Sequence, residues 1–311
     1  MTTRSKALIL LVPNKTPTKK PVLYVPRRPK AIGHITPQRN IIKGDPRPRV
    51  EDLEKVAPAG ARCGVTKRNN RLKSIQISHA ADRGTCGADL LLLEVMLGME
   101  YKKLNLDTRP NLIFLTVEIH SAYDHGFCVI LPMLSTLSIL SQAIKRQEVK
   151  GWTRKKPPVR NAQGYIHHED VFPFTLAGRK FRFVPLLSWD GDQPSIQCWT
   201  DHADGTVTRT TYDPPFTTPT GQAVLPVLTL HCCPYFVVWK AFKILSKPGA
   251  QVPEYALQEA KLVLKIGAMM TENFAAAADA ADPGDNLEPR SSPSAYEPPS
   301  SPIKRTRASA R

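Results

Sequence analysis

Between residues 109 and 126, a strand-length apolar run passes directly into a helix-length segment, in the sequence RPNLIFLTVEIHSAYDHG. The run at 111–115 is short and largely apolar, as in a buried strand. Thr116 is a residue type that caps the start of helices, and Gly126 is the type that ends them. The pattern therefore predicts a strand followed, without a loop, by a helix over VEIHSAYDH. Because no loop separates the two elements, the end of the strand sets the position at which the helix begins.

The surrounding segment, 53–132, has the pattern of one compact module. Its alternating and periodic apolar residues predict strands that include one ending in His79, and a leucine-rich helix that Gly98 ends. The predicted strands are at 62–66, 72–79 and 127–132, in addition to the one at 111–115, and the leucine-rich helix is at 88–99. A chain of 311 residues with 41% hydrophobic content can bury a sizeable core. We predict an α+β protein with this module embedded in a larger domain.

The segments on either side divide the rest of the chain. Residues 1–50 are basic and rich in proline, with two short apolar runs that would suit a strand pair. Residues 133–278 predict a helix, then a strand-rich region, then C-terminal helices from Pro234 and from about Pro253. The tail, 279–311, is rich in Ser, Pro and Asp, and we expect it to be disordered.

Positive charge is concentrated near the N-terminus. The chain has 43 Lys and Arg against 27 Asp and Glu, a formal net charge of +16. Twelve of the basic residues lie in 1–50, where Asp45 is the one acidic residue. Such a segment favours polyanions through counterion release, whatever their sequence. Nucleic acid is therefore one expected partner; a basic solubilising segment is the alternative.

The cysteines and the N-terminus bear on location. The six cysteines form no C-x-x-C pair, which is typical of reduced thiols in an intracellular protein. The apolar run at 7–12 is too short for a membrane span and lacks a cleavage site of small residues. We expect an intracellular protein that is neither secreted nor bound in a membrane, with the basic KRTR at 304–307 a candidate nuclear signal. The oligomeric state stays open.

Three side chains carry the chemical prediction. A strand ending in His79, a strand beginning at Asn111 and a helix bearing His120 form a β-β-α unit, and we expect both histidines to face one crevice at the strand ends. Hydrolysis of a phosphodiester needs an activated water and a cation that neutralises charge on the phosphate. A neutral histidine is a suitable base near pH 7, an asparagine carbonyl can hold its tautomer, and a helical histidine can bind a metal.

These residues resemble the HNH endonuclease family, which has the ββα-metal fold, and most closely the HNH nuclease domains of basidiomycete fungal proteins. The resemblance covers about residues 62–132, and less securely a region that ends in HCCPYFVV at 231–238. Its motifs are a C-x-V-T-like start, a strand ending in histidine, an L-N-L-D-T-R-x-N segment and H-x-x-x-D-x-G. The matching residues are Cys63 to Thr66, His79, Leu104 to Asn111, and His120 to Gly126.

The resemblance implies a role for each matched residue. His79 would be the general base, Asn111 its orienting partner, and His120 a ligand of a divalent metal, Mg²⁺ or Mn²⁺ with Zn²⁺ as the alternative. Asp124 lies one helical turn after His120, where it would support that histidine or a metal-bound water, or make an ordinary contact at the helix end. Both interpretations of Asp124 stay open.

The sequence departs from the family just before His79. Many active HNH enzymes have an aspartate or a second metal-binding residue there, and this chain has Ser78. Hard divalent cations prefer carboxylate oxygen, so Asp82 or Asp89 would have to substitute. Two hypotheses follow: a metal-dependent endonuclease that hydrolyses DNA phosphodiester bonds, or an impaired HNH-fold module that binds nucleic acid or protein. A carboxylate within ligand distance of His120 would favour the enzyme, whereas histidines that point to different faces would overturn the nuclease interpretation.

Overall fold

The computed structural model describes residues 50–69, 74–85, 87–99, 103–147, 166–187 and 194–280. The helices are α1 (Val50–Glu54), α2 (Gly87–Met96), α3 (Val117–His125), α4 (Leu134–Arg146), α5 (His168–Val171), α6 (Pro234–Leu245) and α7 (Leu257–Ala280). The strands are β1 (Ile75–His79), β2 (Leu112–Thr116), β3 (Cys128–Pro132), β4 (Arg179–Pro185), β5 (Ile196–Asp201), β6 (Val207–Tyr212) and β7 (Leu228–Leu230). Helices and strands alternate as far as α4 in these ranges, and four consecutive strands separate α5 from α6. The mixture of helix and sheet confirms the α+β class.

All strand pairs within the three small sheets are antiparallel. β1 pairs with β2, so that His79 lies opposite Leu112, and β5 pairs with β6. The third sheet has the order β3-β4-β7. Strand β3, which we had placed with the preceding module, therefore pairs with a strand from the later region.

One hydrophobic core joins the segments on both sides of residue 132. It includes the leucines of α2, the strands β2 and β3, and the apolar faces of α4, α6 and α7. A smaller cluster packs Leu53 of α1 against Leu112 and Phe114 of β2. The 53–132 module is thus covered by the helices that follow it and shares its core with them.

Most predicted elements are confirmed, with two exceptions. Residues 62–66 form a turn rather than a strand, because the Cys63 sulfur accepts a hydrogen bond from the Thr66 amide and Arg62 makes only an isolated bridge. Within the predicted strand-rich region, the apolar stretch at 171–176, VFPFTL, is a candidate strand, but it forms the end of α5 and an irregular segment. The possible strand pair within 1–50, the KRTR run and the tail from 281 lie outside the described residues. Within the described ranges, no helix is both long and apolar enough to cross a bilayer.

Helices α6 and α7 cross at very short range. A Cβ atom added at Gly267 of α7 would lie 2.2 Å from ring atoms of Phe242 on α6. Only a residue without a side chain allows this approach, which brings the central part of α6 down onto the core. The crossing matters for the site below, because α6 supplies one of its charged groups.

We expect Gly267→Ala to destabilise the protein by about 2 kcal/mol or more, because overpacking against a rigid ring outweighs the gain of about 1 kcal/mol in helix propensity. Denaturant unfolding would measure the change. Gly84→Ala is the matched control, since a Cβ at Gly84 meets nothing within 4 Å. Equal stability of the Gly267 variant and the wild type would contradict the tight crossing.

Candidate functional site

The two strands and the helix that carry the predicted site residues occur in the expected order. β1 ends at His79, a single 3₁₀ turn ends at Asn111, and β2 follows at once. Helix α3 begins directly after β2, with Thr116 at the N-cap position, and Gly126 ends it in the left-handed conformation at φ 78°. This arrangement brings His79 and Asn111 to one end of the β1–β2 sheet, whereas His120 contacts Gln76 towards the other end of β1.

The imidazole of His79 pairs with a buried carboxylate. Its Nε2 lies 2.8 Å from Oδ1 of Asp107, whose side chain is only 4% exposed, whereas that of His79 is 12% exposed. The Asp107 amide in turn donates to Oδ1 of Asn105. A carboxylate in this position fixes the tautomer of the ring and stabilises the imidazolium. His79 is therefore oriented as a base should be, by a residue that our sequence prediction did not name.

The role predicted for Asn111 differs in the structure. Its side chain is fully buried, and its Oδ1 accepts a hydrogen bond from the Ala81 amide at 2.6 Å. Its Nδ2 donates to the carbonyls of Ala81 and Leu106, at 3.0 and 2.9 Å. Asn111 thus ties together the loops that follow His79 and precede β2, and Asp107 takes the orienting role at the His79 ring.

The ring of His120 contacts two oxygen-bearing side chains. Its Nδ1 lies 2.7 Å from Oε1 of Gln76 on β1, and its Nε2 lies 3.0 Å from Oδ2 of Asp124. The carboxylate beside His120 that would favour an enzyme is present.

The two histidines do not face one crevice. Side chains alternate along a strand, so Gln76 and Ser78 project to one face of β1, and Ile77 and His79 to the other. His120 contacts Gln76, which places it on the face opposite the His79 side chain. The expectation of a shared crevice is therefore wrong. By the same alternation, Ser78 and not His79 lies on the face of β1 that meets α3.

A lysine from α6 lies at the centre of this face. The Nζ of Lys240 is 2.7 Å from Oδ1 of Asp82 and 2.9 Å from Oδ1 of Asp124. It also lies 3.4 Å from the His79 carbonyl and 3.8 Å from the centroid of the Tyr123 ring. The Lys240 side chain is 2% exposed, against 60% for Asp82 and 47% for Asp124. Its buried charge is compensated by two carboxylates, a carbonyl dipole and an aromatic face.

Of the two aspartates considered as substitutes at Ser78, the structure brings one to this cluster. Asp82 joins it, and Asp89 instead pairs with Lys243 on the next turn of α6. Ser78 itself is buried, and its Oγ has no hydrogen-bond partner. Lys240 was missed although a signal was present: it is a charged residue within the apolar helix sequence PYFVVWKAFKIL.

The described residues do not fit the divalent metal that the resemblance implies. No group of three or more His, Cys, Asp or Glu side chains in the described ranges is placed to hold an ion. The His120 ring is already paired through one nitrogen with Asp124 and through the other with Gln76. The two carboxylates are already paired with the ammonium of Lys240. We therefore assign no step to a metal.

Residues 231–233 connect the later region to the Asn111 turn. The Nε2–H of His231 donates to the carbonyl of Arg109 at 3.0 Å, and the Cys233 amide donates to the carbonyl of Pro110 at 2.9 Å. The Cys232 thiol lies 3.7 Å from the Leu112 carbonyl, to which it donates. This contact orients α6, which begins at Pro234, over the β1–β2–α3 unit.

We expect Asn111→Ala to cost about 3 kcal/mol, because three buried hydrogen bonds are lost and their partners are left unsatisfied. Urea unfolding followed by circular dichroism would measure it. Asn273→Ala is the control: this residue makes one hydrogen bond, to the Ile144 carbonyl, and should cost about 1 kcal/mol. A larger loss of stability in Asn273→Ala than in Asn111→Ala would contradict the role of Asn111 in joining the two loops.

The buried His231 makes stability depend on pH. Burial lowers its pKa from 6.5 to about 4, and the hydrogen bonds to the Arg109 and Leu112 carbonyls offset part of that effect. The unfolded chain therefore binds the proton first as pH falls, so this contribution is complete above about pH 6.5 and is lost towards pH 4. The loss should reach about 2 to 3 kcal/mol.

The measurement is urea unfolding between pH 7 and pH 4 for the wild type and His231→Gln, whose amide can still donate to Arg109. The variant should lose less stability over this range. His202→Gln, on the exposed turn after β5, controls for the removal of a histidine. Parallel pH profiles of the His231 variant and the wild type would exclude His231 as the titrating group.

Comparison with known proteins adds no assignment. No protein-family model, no curated protein and no solved structure matches this chain. The likeness to HNH endonucleases therefore stands on the residues and motifs of the sequence, and activity, partner and cofactor are matters for proposal.

Proposed function

We propose that this chain is an HNH-type endonuclease that hydrolyses phosphodiester bonds of DNA, with His79 as its general base. The observation that carries the proposal is the contact of 2.8 Å between the His79 imidazole and the buried Asp107 carboxylate. A buried carboxylate that holds a partly exposed imidazole is the arrangement by which proteins raise the basicity of histidine and fix its tautomer. The motif order of the sequence gives the reaction class. Because His79 and His120 lie on different faces of β1, we give up the predicted two-histidine site and assign the chemistry to His79 and Asp107.

In the proposed reaction, the oxygen of a water molecule forms a bond to phosphorus as His79 takes the water proton. Asp107 stabilises the imidazolium that results. The bond from phosphorus to the leaving deoxyribose oxygen breaks, and that oxygen takes a proton from solvent. Arg83 lies beside this pair, with Nη2 3.4 Å from Oδ2 of Asp107, and is half exposed. Its guanidinium is suited to hold the phosphate and offset the charge that develops on it.

The choice of DNA depends on charge and on location. The net charge of +16 and the twelve basic residues in 1–50 favour a phosphate backbone. In this proposal the basic segment holds the backbone while the end of β1 acts on one phosphodiester. The KRTR run at 304–307 favours a nuclear protein, which would place it beside this substrate.

A second candidate, an HNH-fold module that binds nucleic acid or protein without turnover, is favoured by the cluster around Lys240. The ammonium pairs with both carboxylates, Asp82 after β1 and Asp124 on α3, and Ser78 stands where many active HNH enzymes have a metal-binding residue. A centre whose charges are satisfied internally has no open coordination position for a metal. The module would then keep the basic segment for binding and the β-β-α unit for structure.

The test is cleavage of supercoiled plasmid by the purified full chain, in EDTA and separately in Mg²⁺, Mn²⁺ and Zn²⁺. We expect wild-type nicking that falls on the order of a hundredfold in His79→Ala, because the base is lost. His202→Ala, on the exposed turn after β5, should cleave like the wild type. Gel mobility shifts over a range of salt concentrations would record DNA binding by the same proteins.

No cleavage by folded wild type in any metal, together with salt-dependent binding of DNA, would replace the enzyme by the binding module. Equal cleavage by the wild type and the His79 variant would also reject the proposal, since the activity would then come from another site or another protein. Loss of cleavage in both histidine variants would indicate a general effect of substitution and would not support His79 as the base.

A further inference from the structure

The ammonium of Lys240 has the surroundings that proteins usually build for a bound cation. Two carboxylate oxygens lie 2.7 and 2.9 Å from Nζ, from Asp82 and Asp124. A backbone carbonyl and the face of the Tyr123 ring complete the shell. These donors come from the loop after β1 and from α3, and the cation comes from α6, 116 residues after Asp124. These contacts therefore depend on the tertiary fold, because residues distant in sequence make them.

Asp124 connects this cation to His120. One carboxylate oxygen, Oδ1, contacts Nζ of Lys240, and the other, Oδ2, contacts Nε2 of His120 at 3.0 Å. The histidine matched to a metal ligand in the resemblance is therefore next to a carboxylate whose second oxygen already holds a positive charge. Ammonium and metal would compete for the same side chain.

Electrostatics decides that competition in favour of the lysine. Two unit charges of the same sign about 4 Å apart repel by about 4 kcal/mol at an effective dielectric constant near 20, and a divalent ion doubles this. The Lys240 side chain is 2% exposed and cannot swing into solvent without the repacking of α6 against Tyr123. An incoming divalent ion would have to approach a fixed positive charge.

We propose that the Lys240 ammonium is the resident cation of this centre, in the place that the HNH resemblance assigns to a divalent metal, and that it keeps such an ion from the His120–Asp124 pair. The inference concerns the same centre as the proposed function, but it does not require turnover, and its test is the binding of metal. Removal of the ammonium should leave Asp82 and Asp124 without their shared cation, with His120 in contact with Asp124. These three side chains are not placed to hold an ion as they stand, but their two carboxylates and one imidazole are donors that suit Mn²⁺, Co²⁺ or Zn²⁺ once they reposition around the vacated place.

The experiment is titration of the full chain with Mn²⁺ and with Co²⁺, by calorimetry and by the visible absorption of Co²⁺. We expect Lys240→Ala to bind one ion at least about tenfold more tightly than the wild type does, with a rise in melting temperature on binding. The double variant Lys240→Ala, His120→Ala should lose that gain, which separates this centre from ion binding elsewhere on the chain.

Lys243→Ala is the matched control. Lys243 lies one turn of α6 from Lys240 and pairs with Asp89, outside the cluster. Its removal also frees a carboxylate, yet it should leave metal binding like that of the wild type. Lys240→Gln covers the case in which Lys240→Ala does not fold, because a glutamine amide can still donate hydrogen bonds to a carboxylate while it removes the charge. This variant should also bind more tightly than the wild type.

Binding of one ion by the wild type that is as tight as in Lys240→Ala or Lys240→Gln, and that His120→Ala abolishes, would overturn the proposal. A Lys243 variant that gains the same affinity would overturn it as well, since the gain would then follow from any lost lysine on α6. Failure of plasmid cleavage leaves the result of these titrations unchanged, so the two proposals fail separately.

Discussion

The buried charge of Lys240 is the constraint on which the position of α6 depends. An ammonium that is almost fully withdrawn from water costs several kcal/mol unless oxygen-bearing partners surround it. Those partners belong to the β1–β2–α3 unit: Asp82 after β1, and Asp124 and Tyr123 on α3. Apolar packing alone would tolerate a helix that slides by a fraction of a turn. Charge compensation does not, and it fixes α6 in one register above the unit.

A second network, made of uncharged hydrogen-bonding groups, fixes the N-terminal end of α6 against the β1–β2–α3 unit. Asn111 joins the loop after β1 to the loop before β2, and the turn that it ends accepts hydrogen bonds from His231 and from the Cys233 amide. The residues just before α6 are thereby attached to the unit that α6 covers. The segment HCCPYFVV thus has a structural role, because its first half contacts the Asn111 turn and its helix leads to Lys240.

The local sequence pattern was sufficient to predict the helices and strands of the site. It was not sufficient to predict which side chains contact one another. The strand-to-helix junction at Thr116 and the stop at Gly126 follow from residue types over a few positions. The partners of His79 and Asp124 lie 28 and 116 residues away, at Asp107 and Lys240, and no periodicity encodes them. The expectation that His79 and His120 share a crevice was wrong by one strand position, since alternation along β1 places Ser78, and not His79, on the face that meets α3.

His79 is the residue at which the two halves of the site meet. Its ring is held by Asp107, and its carbonyl accepts a hydrogen bond from Lys240. A shift of α6 would therefore move the peptide that positions the imidazole. A phosphate that approaches this end of β1 would also meet less negative charge than Asp82 and Asp124 alone would present, because the ammonium offsets one of the two carboxylates. The lysine is thus compatible with binding a phosphodiester at the strand end, and the distinction between a binding module and an enzyme depends on what the imidazole held by Asp107 does to water.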